Sequence, residues 1–198
     1  MHRTYCGALV AALAAVYPDD GYSNPTSWPR CASLTPHLLA SCETATADAA
    51  ANAECADLLN RAGEYFHGRA VYSGARPLLE RGLAVREKVL GPEHPDTATS
   101  LNNLALVLQA QGDVAGARPL LERALAIKEK MLGPEDSYTA LSLNHLALLL
   151  QDQGDFAGAL AHYERALAIY EKVLGFEHPD TDRVRAAVLR ARSRGGEG

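Results

Sequence analysis

Aromatic side chains are scarce in this chain, with three Phe and one Trp among 198 residues. A core must therefore be filled by aliphatic groups, and the Ala and Leu that dominate most stretches favour closely packed helices. No G-x-x-x-x-G-K-[ST] occurs, which removes the backbone cradle and lysine needed for nucleotide phosphates. No H-E-x-x-H, G-x-S-x-G or glycine-rich phosphate loop occurs either, so no catalytic residue, metal or cofactor is expected. The four cysteines, Cys6, Cys31, Cys42 and Cys55, form no C-x-x-C pair and have no matching His run, which argues against zinc. They read as buried reduced thiols in a cytoplasmic protein, with a disulfide as the alternative. A formal charge of −5 gives nucleic acid no general electrostatic hold, while 47% apolar side chains suffice for a real core.

No apolar run is long enough to span a membrane. The opening "MHRTYCGALVAALAAVYPDD" has the outline of a secretory leader, but its basic region is only His2 and Arg3. Leu9, Leu13 and Val16 recur at helical spacing, so a packed amphipathic helix is the simpler reading.

What the chain does have is an internal repeat. The stretch "SLNNLALVLQAQGD" at Ser100 returns as "SLNHLALLLQDQGD" at Ser142, and the starts Gly91, Gly133 and Gly175 are spaced by 42 residues. One interval earlier, residues 49–90 keep the second half of the pattern, "GARPLLERGLAVREKVL", while "CADLLNRAGEYFHGRA" has drifted.

Each unit contains two helical patterns. In the clearest copy, Leu101, Leu104, Ala105 and Leu108 recur at i, i+3, i+4, i+7, followed by a stripe of Ala117, Leu120, Leu121, Ala124 and Leu125. Gly112 suits the left-handed end of the first helix and Asp113 the cap of the second. Between units, Gly91 is placed to end a helix and Pro95 to open the next. The His of "EHPD", His94 and His178, is replaced by Asp136 in the middle joint, which suits a helix start better than a catalytic pair. The worn copy has Ala70-Val71 in place of Gly-Asp, leaving its turn open.

This arrangement of large and small residues resembles the tetratricopeptide repeat, with Leu101, Leu104, Ala105, Leu108, Gly112, Asp113, Ala117, Leu121, Ala124 and Leu125 at its motif places. The common repeat is about 34 residues long; the 42-residue period, the "LGPEHPDT" joint and the "LNNLA" core look like the kinesin-light-chain type. The resemblance implies an all-α fold, a right-handed superhelical solenoid of antiparallel hairpins. It implies an N-terminal helical cap or connector over 1–48, a degenerate repeat over 49–90, and repeats over 91–132 and 133–174. A partial repeat over 175–194 would act as a capping helix, through Val184, Ala187, Val188 and Ala191, before a disordered tail over 195–198. The segment "YCGALVAALAAVYPDD…WPRCASLTPHLLASCETA" also resembles the connector joining NB-ARC-type NTPases to such repeats in bacterial signalling proteins.

The family's groove positions fall here on Asn60, Arg61, Glu64 and His67, on Asn102, Asn103, Leu106 and Gln109, and on Asn144, His145, Leu148 and Gln151. Asn60, Asn102 and Asn144 would form a ladder of amides able to hold the backbone of an extended peptide. Alternatively, they bond neighbouring hairpins and set superhelical pitch. Arg86 and Lys128, late in successive second helices, read as solvated surface. The function expected is a non-catalytic protein or peptide binder acting as scaffold or adaptor. The alternative is the sensor arm of an NB-ARC-type NTPase. No nucleic-acid or membrane partner is expected, and the oligomeric state is left open.

Overall fold

The computed structural model describes residues 2–44 and 49–195, with side chains described over 7–43 and 52–195. Among these residues the chain is all helix: α1 (His2–Val16), a 3-10 turn (Pro25–Ser27), α2 (Trp28–Thr44), α3 (Ala49–Gly68), α4 (Tyr72–Val89), α5 (Pro95–Ala110), α6 (Val114–Met131), α7 (Ser137–Asp152), α8 (Phe156–Val173) and α9 (Pro179–Gly195). It divides into two compact units between Gln111 and Gly112. Helix α9 includes Gly195, so the expected tail does not begin there, and residues 196–198 lie outside the described residues.

The repeat period is visible in the backbone. Gly91, Gly133 and Gly175 take φ of 97°, 100° and 93°, the left-handed conformation that ends a helix without the clash a Cβ brings. Each joint is then closed by a buried threonine six residues on. The Oγ1 atoms of Thr97, Thr139 and Thr181 donate to the carbonyls of those glycines at 2.8, 2.9 and 2.9 Å. The following helix is capped by His94, Asp136 or His178, whose side chains accept from the amides of Asp96, Tyr138 and Asp180. Histidine and aspartate exchange at this place because each offers one acceptor to the same orphan amide.

Within hairpins the turn follows the sequence. Gly112 and Gly154 have φ of 82° and 81°, and Asp113 and Asp155 accept from the amides of Gly116 and Gly158 at 2.9 and 2.8 Å. The worn repeat makes the same turn from poorer residues. Ala70 adopts φ 57° where the others have glycine, and Val71 stands at the cap with no side-chain acceptor.

In the first unit α1 to α4 enclose one core of Val10, Leu13, Tyr17, Cys31, Leu38, Cys42, Cys55, Leu58, Leu59, Ala62, Tyr65 and Leu78. The N-terminal helices are therefore packed on the worn repeat, and the Tyr17 hydroxyl is bonded to Thr35 Oγ1 at 3.0 Å inside the fold. In the second unit α8 packs against both α7 and α9. Val184, Ala187, Val188 and Ala191 of α9 are 5% exposed or less, as their helical spacing requires.

Candidate functional site

The sequence-predicted groove residues lie on the first helix of each hairpin, and their environments differ. On α3, the Asn60 amide is 3% exposed and donates to Ala56 O of its own helix at 2.9 Å. On α5, Asn102 is 2% exposed. Only Asn144, on α7, is partly open. The accessible ladder expected from Asn60, Asn102 and Asn144 is thus corrected. Two of the three amides point inward, although all three follow a fully buried leucine (Leu59, Leu101, Leu143) by one residue, so helical position alone does not decide their exposure.

Arg61 is also withdrawn from any open surface. Its guanidinium donates to the carbonyls of Ala14 and Tyr17 at 2.8 Å each, pairs with Asp19, and lies 3.2 Å from Asp57. It thereby satisfies carbonyls left orphaned where α1 ends, which is why a charged group is tolerated there. Glu64 accepts from Asn103 Nδ2 at 2.5 Å, joining α3 to α5. Burial pushes its carboxyl pKa up, and the bond from Asn103 partly offsets that. His67, its pKa lowered by burial, stacks at a tilt on Tyr22 and Tyr72 with centroids 5.0 and 5.7 Å away. Leu106 and Gln109 are half-buried on α5.

In the second unit α7 carries a more open stripe. Tyr138 is 60% and Leu141 36% exposed, and Asn144, His145, Leu148 and Gln151 continue the same side of the helix at partial exposure. This stripe mixes two apolar side chains and an aromatic ring with amide and imidazole groups. Such a surface can take up a peptide's apolar side chains and hydrogen-bond its backbone.

Arg86 and Lys128 are not solvated surface, which corrects that expectation. Arg86 is 8% exposed and donates to Asp96 O at 3.0 Å, Ser100 Oγ at 2.8 Å and Asp57 Oδ1 at 3.2 Å. Lys128 is 1% exposed, with its Nζ 5.8 Å from the centre of the Tyr138 ring. Desolvation lowers its pKa to about 8, against a smaller upward pull from Asp136. Tyr170, one period further on, is 5% exposed, and burial raises its pKa to about 12. One register position thus holds Arg, Lys and Tyr, long side chains reaching from a second helix toward the start of the next hairpin. Nothing in a single helical pattern distinguishes such a buried link from surface.

A groove of ≈ 570 Å³ runs between α8 and α9 and is lined by Leu167, Phe176, Val188 and Leu189. Arg185 and Arg192 bridge it to Glu171 and Glu164 at 3.1 and 2.6 Å, and the Arg185 guanidinium lies 3.7 Å from the Phe176 ring centre. Among the described residues no cluster of three or more His, Cys, Asp or Glu side chains is arranged to hold a metal, and no helix is long and apolar enough to cross a membrane.

These features define the class first: an all-α protein of antiparallel helix hairpins repeated every 42 residues, with joints rebuilt from the same groups each time. Family models of the tetratricopeptide repeat match residues 54–130 and 139–180. The chain is built of tetratricopeptide repeats over those residues. Its fold is shared with a crystal structure of BtubC (BKLC) from P. vanneervenii, at TM-score 0.77 and 20% identity, covering 98% of this chain and 75% of that one. Two crystal structures of a Podosopora anserina putative kinesin light chain with nearly identical TPR-like repeats align at TM-scores 0.71 and 0.70. Their identities are 22% and 23%, and the alignments cover 99% of this chain and 87% and 88% of those. No curated protein matches the chain.

Proposed function

We propose that this chain is a non-catalytic protein-binding module that presents the first-helix faces of its hairpins to a peptide or a partner's helix, as a cytoplasmic scaffold or adaptor. The observation that carries the reading is the stripe on α7. There Tyr138, Leu141, Asn144, His145, Leu148 and Gln151 leave apolar and hydrogen-bonding groups accessible on the helix that this repeat family uses for ligands. On α5 the corresponding groups are Asn103, Leu106 and Gln109, with Glu64 of α3 bonded to Asn103. Asn60 and Asn102 are buried, and Arg61 ties α3 to the end of α1.

The test is selection of binding peptides from a displayed random library on the purified full chain. Affinity for a selected peptide is then compared between the chain and its Leu141→Glu, Leu148→Glu variant. A loss of about tenfold or more, with an unchanged circular dichroism spectrum, is expected for contacts of this kind. Selected peptides that bind chain and variant equally would overturn the assignment to α7.

A further inference from the structure

Cys42 is two residues from the end of α2 and Cys55 lies in the second turn of α3, both in the core of the first unit at 5% and 3% exposure. Each thiol shifts the other's pKa, raising that of Cys42 and lowering that of Cys55. The Cys42 Sγ also lies 3.9 Å from Cys55 O, within donating distance for a thiol. Arg81 of α4 reaches over the pair, donating to Cys42 O at 2.8 Å, and its positive charge favours the thiolate form of both sulfurs. Cys31, the other cysteine with a described side chain, is buried in the same core. Two buried cysteines, the thiol of one within 3.9 Å of the backbone carbonyl of the other and a guanidinium bonded beside them, are more than two small apolar core residues.

We propose that Cys42 and Cys55 are a redox pair, oxidised to a reversible disulfide by low-molecular-weight disulfides of the glutathione class, and that this bond locks α2 onto the first repeat.

The Cys42 thiol is engaged with Cys55 O, which leaves Cys55 to react first, in the same sense as the raised pKa of Cys42 and the lowered pKa of Cys55. The Cys55 thiolate attacks one sulfur of oxidised glutathione, forming a mixed disulfide and expelling one glutathione thiolate. Cys42 then gives up its proton and attacks Cys55 Sγ, forming the intrachain bond and expelling the second glutathione thiolate. Two protein thiols are oxidised, one glutathione disulfide is reduced to two thiols, and the two protons pass to the leaving groups or to water. Because both sulfurs are buried, the first attack needs the end of α2 to open locally. The redox state of the pair thereby reports on, and then restrains, the attachment of the N-terminal helices.

The experiment equilibrates the full native chain across a series of glutathione ratios, quenches with acid, and maps disulfides on unreduced peptides. The expected product joins the peptides of Cys42 and Cys55, is two hydrogens lighter than the reduced chain, melts at a higher temperature and reverts with dithiothreitol. In the Cys42→Ser chain, oxidation should stop at a glutathione adduct on Cys55. The proposal is overturned by a stable glutathione adduct on either cysteine of the unaltered chain, or by linkage through Cys31 instead. Absence of reaction at ratios that oxidise the same chain in urea would overturn it as well. The decisive measurements use the unaltered chain, so they do not depend on the folding of a variant.

Discussion

Arg86 of α4 and Ser100 of α5 are joined inside the first unit by a hydrogen bond of 2.8 Å, across the boundary between one repeat and the next. The same guanidinium holds Asp96 O and Asp57 Oδ1. Arg86→Met keeps the length but leaves these acceptors without their donor, and should cost about 2–4 kcal/mol. Arg86→Lys should recover only part, because a single ammonium cannot hold the three groups in a planar fork. Urea unfolding of the full chain, read as a shift in midpoint at constant slope, measures both.

Lys128 should make the chain more stable as the solution becomes alkaline. The folded protein releases this proton near pH 8 and the unfolded one near 10.5. Between those values the unfolded state holds more protons, so raising the pH favours folding. Below pH 8 the lysine is charged in both states and the cost of burying it is constant. Lys128→Met should therefore remove this pH dependence and raise stability at pH 7 by up to about 3 kcal/mol, less whatever the Tyr138 ring returns to the ammonium. The check is the difference between the two proteins' unfolding free energies from pH 7 to 10.5. A flat difference would refute it.

The worn turn between α3 and α4 should be improvable. Ala70 at φ 57° carries a Cβ in a conformation that costs about 1–2 kcal/mol. Val71 stands where Asp113 and Asp155 cap the equivalent helices. Ala70→Gly with Val71→Asp restores both devices, the new carboxylate facing the amide of Gly74, and should add about 1–3 kcal/mol. A rise in melting temperature is the expected reading, and no change would mean the strain is relieved locally.

Helix α9 should unfold with the second unit rather than before it. Val188→Asp puts a carboxylate at a place that is 4% exposed and should cost about 2–4 kcal/mol. Leu189→Asp, next along at 62% exposure, should leave the melting midpoint nearly unchanged. Equal effects from both would show that α9 is not docked by that face.

The parts of the fold that repeat were legible in the sequence because repetition separates what is needed from what is incidental. Gly91, Gly133 and Gly175 mark the joints, Asp113 and Asp155 mark the caps, and the Leu-Ala stripes mark the buried faces. The candidate site was less legible. Asn102 and Asn103 are adjacent polar residues in an apolar helix, yet a rotation of 100° per residue sends one into the core and leaves the other half open. Arg86 and Lys128 look like ordinary charged positions until the next hairpin is seen to cover them. Arg61 could not be placed from sequence, since its partners Ala14, Tyr17 and Asp19 lie more than forty residues upstream, in and just after a helix that belongs to no repeat.

The joints between hairpins carry one more implication. Each contains, within a seven-residue stretch, a left-handed glycine whose carbonyl takes the hydroxyl of a threonine six places on, together with a local cap. No joint borrows a partner from elsewhere in the chain for these bonds. A copy of one 42-residue segment can therefore be spliced in beside its parent with the hinge already included. The gene for such a protein can change its number of hairpins in a single recombination event without having to invent a connection.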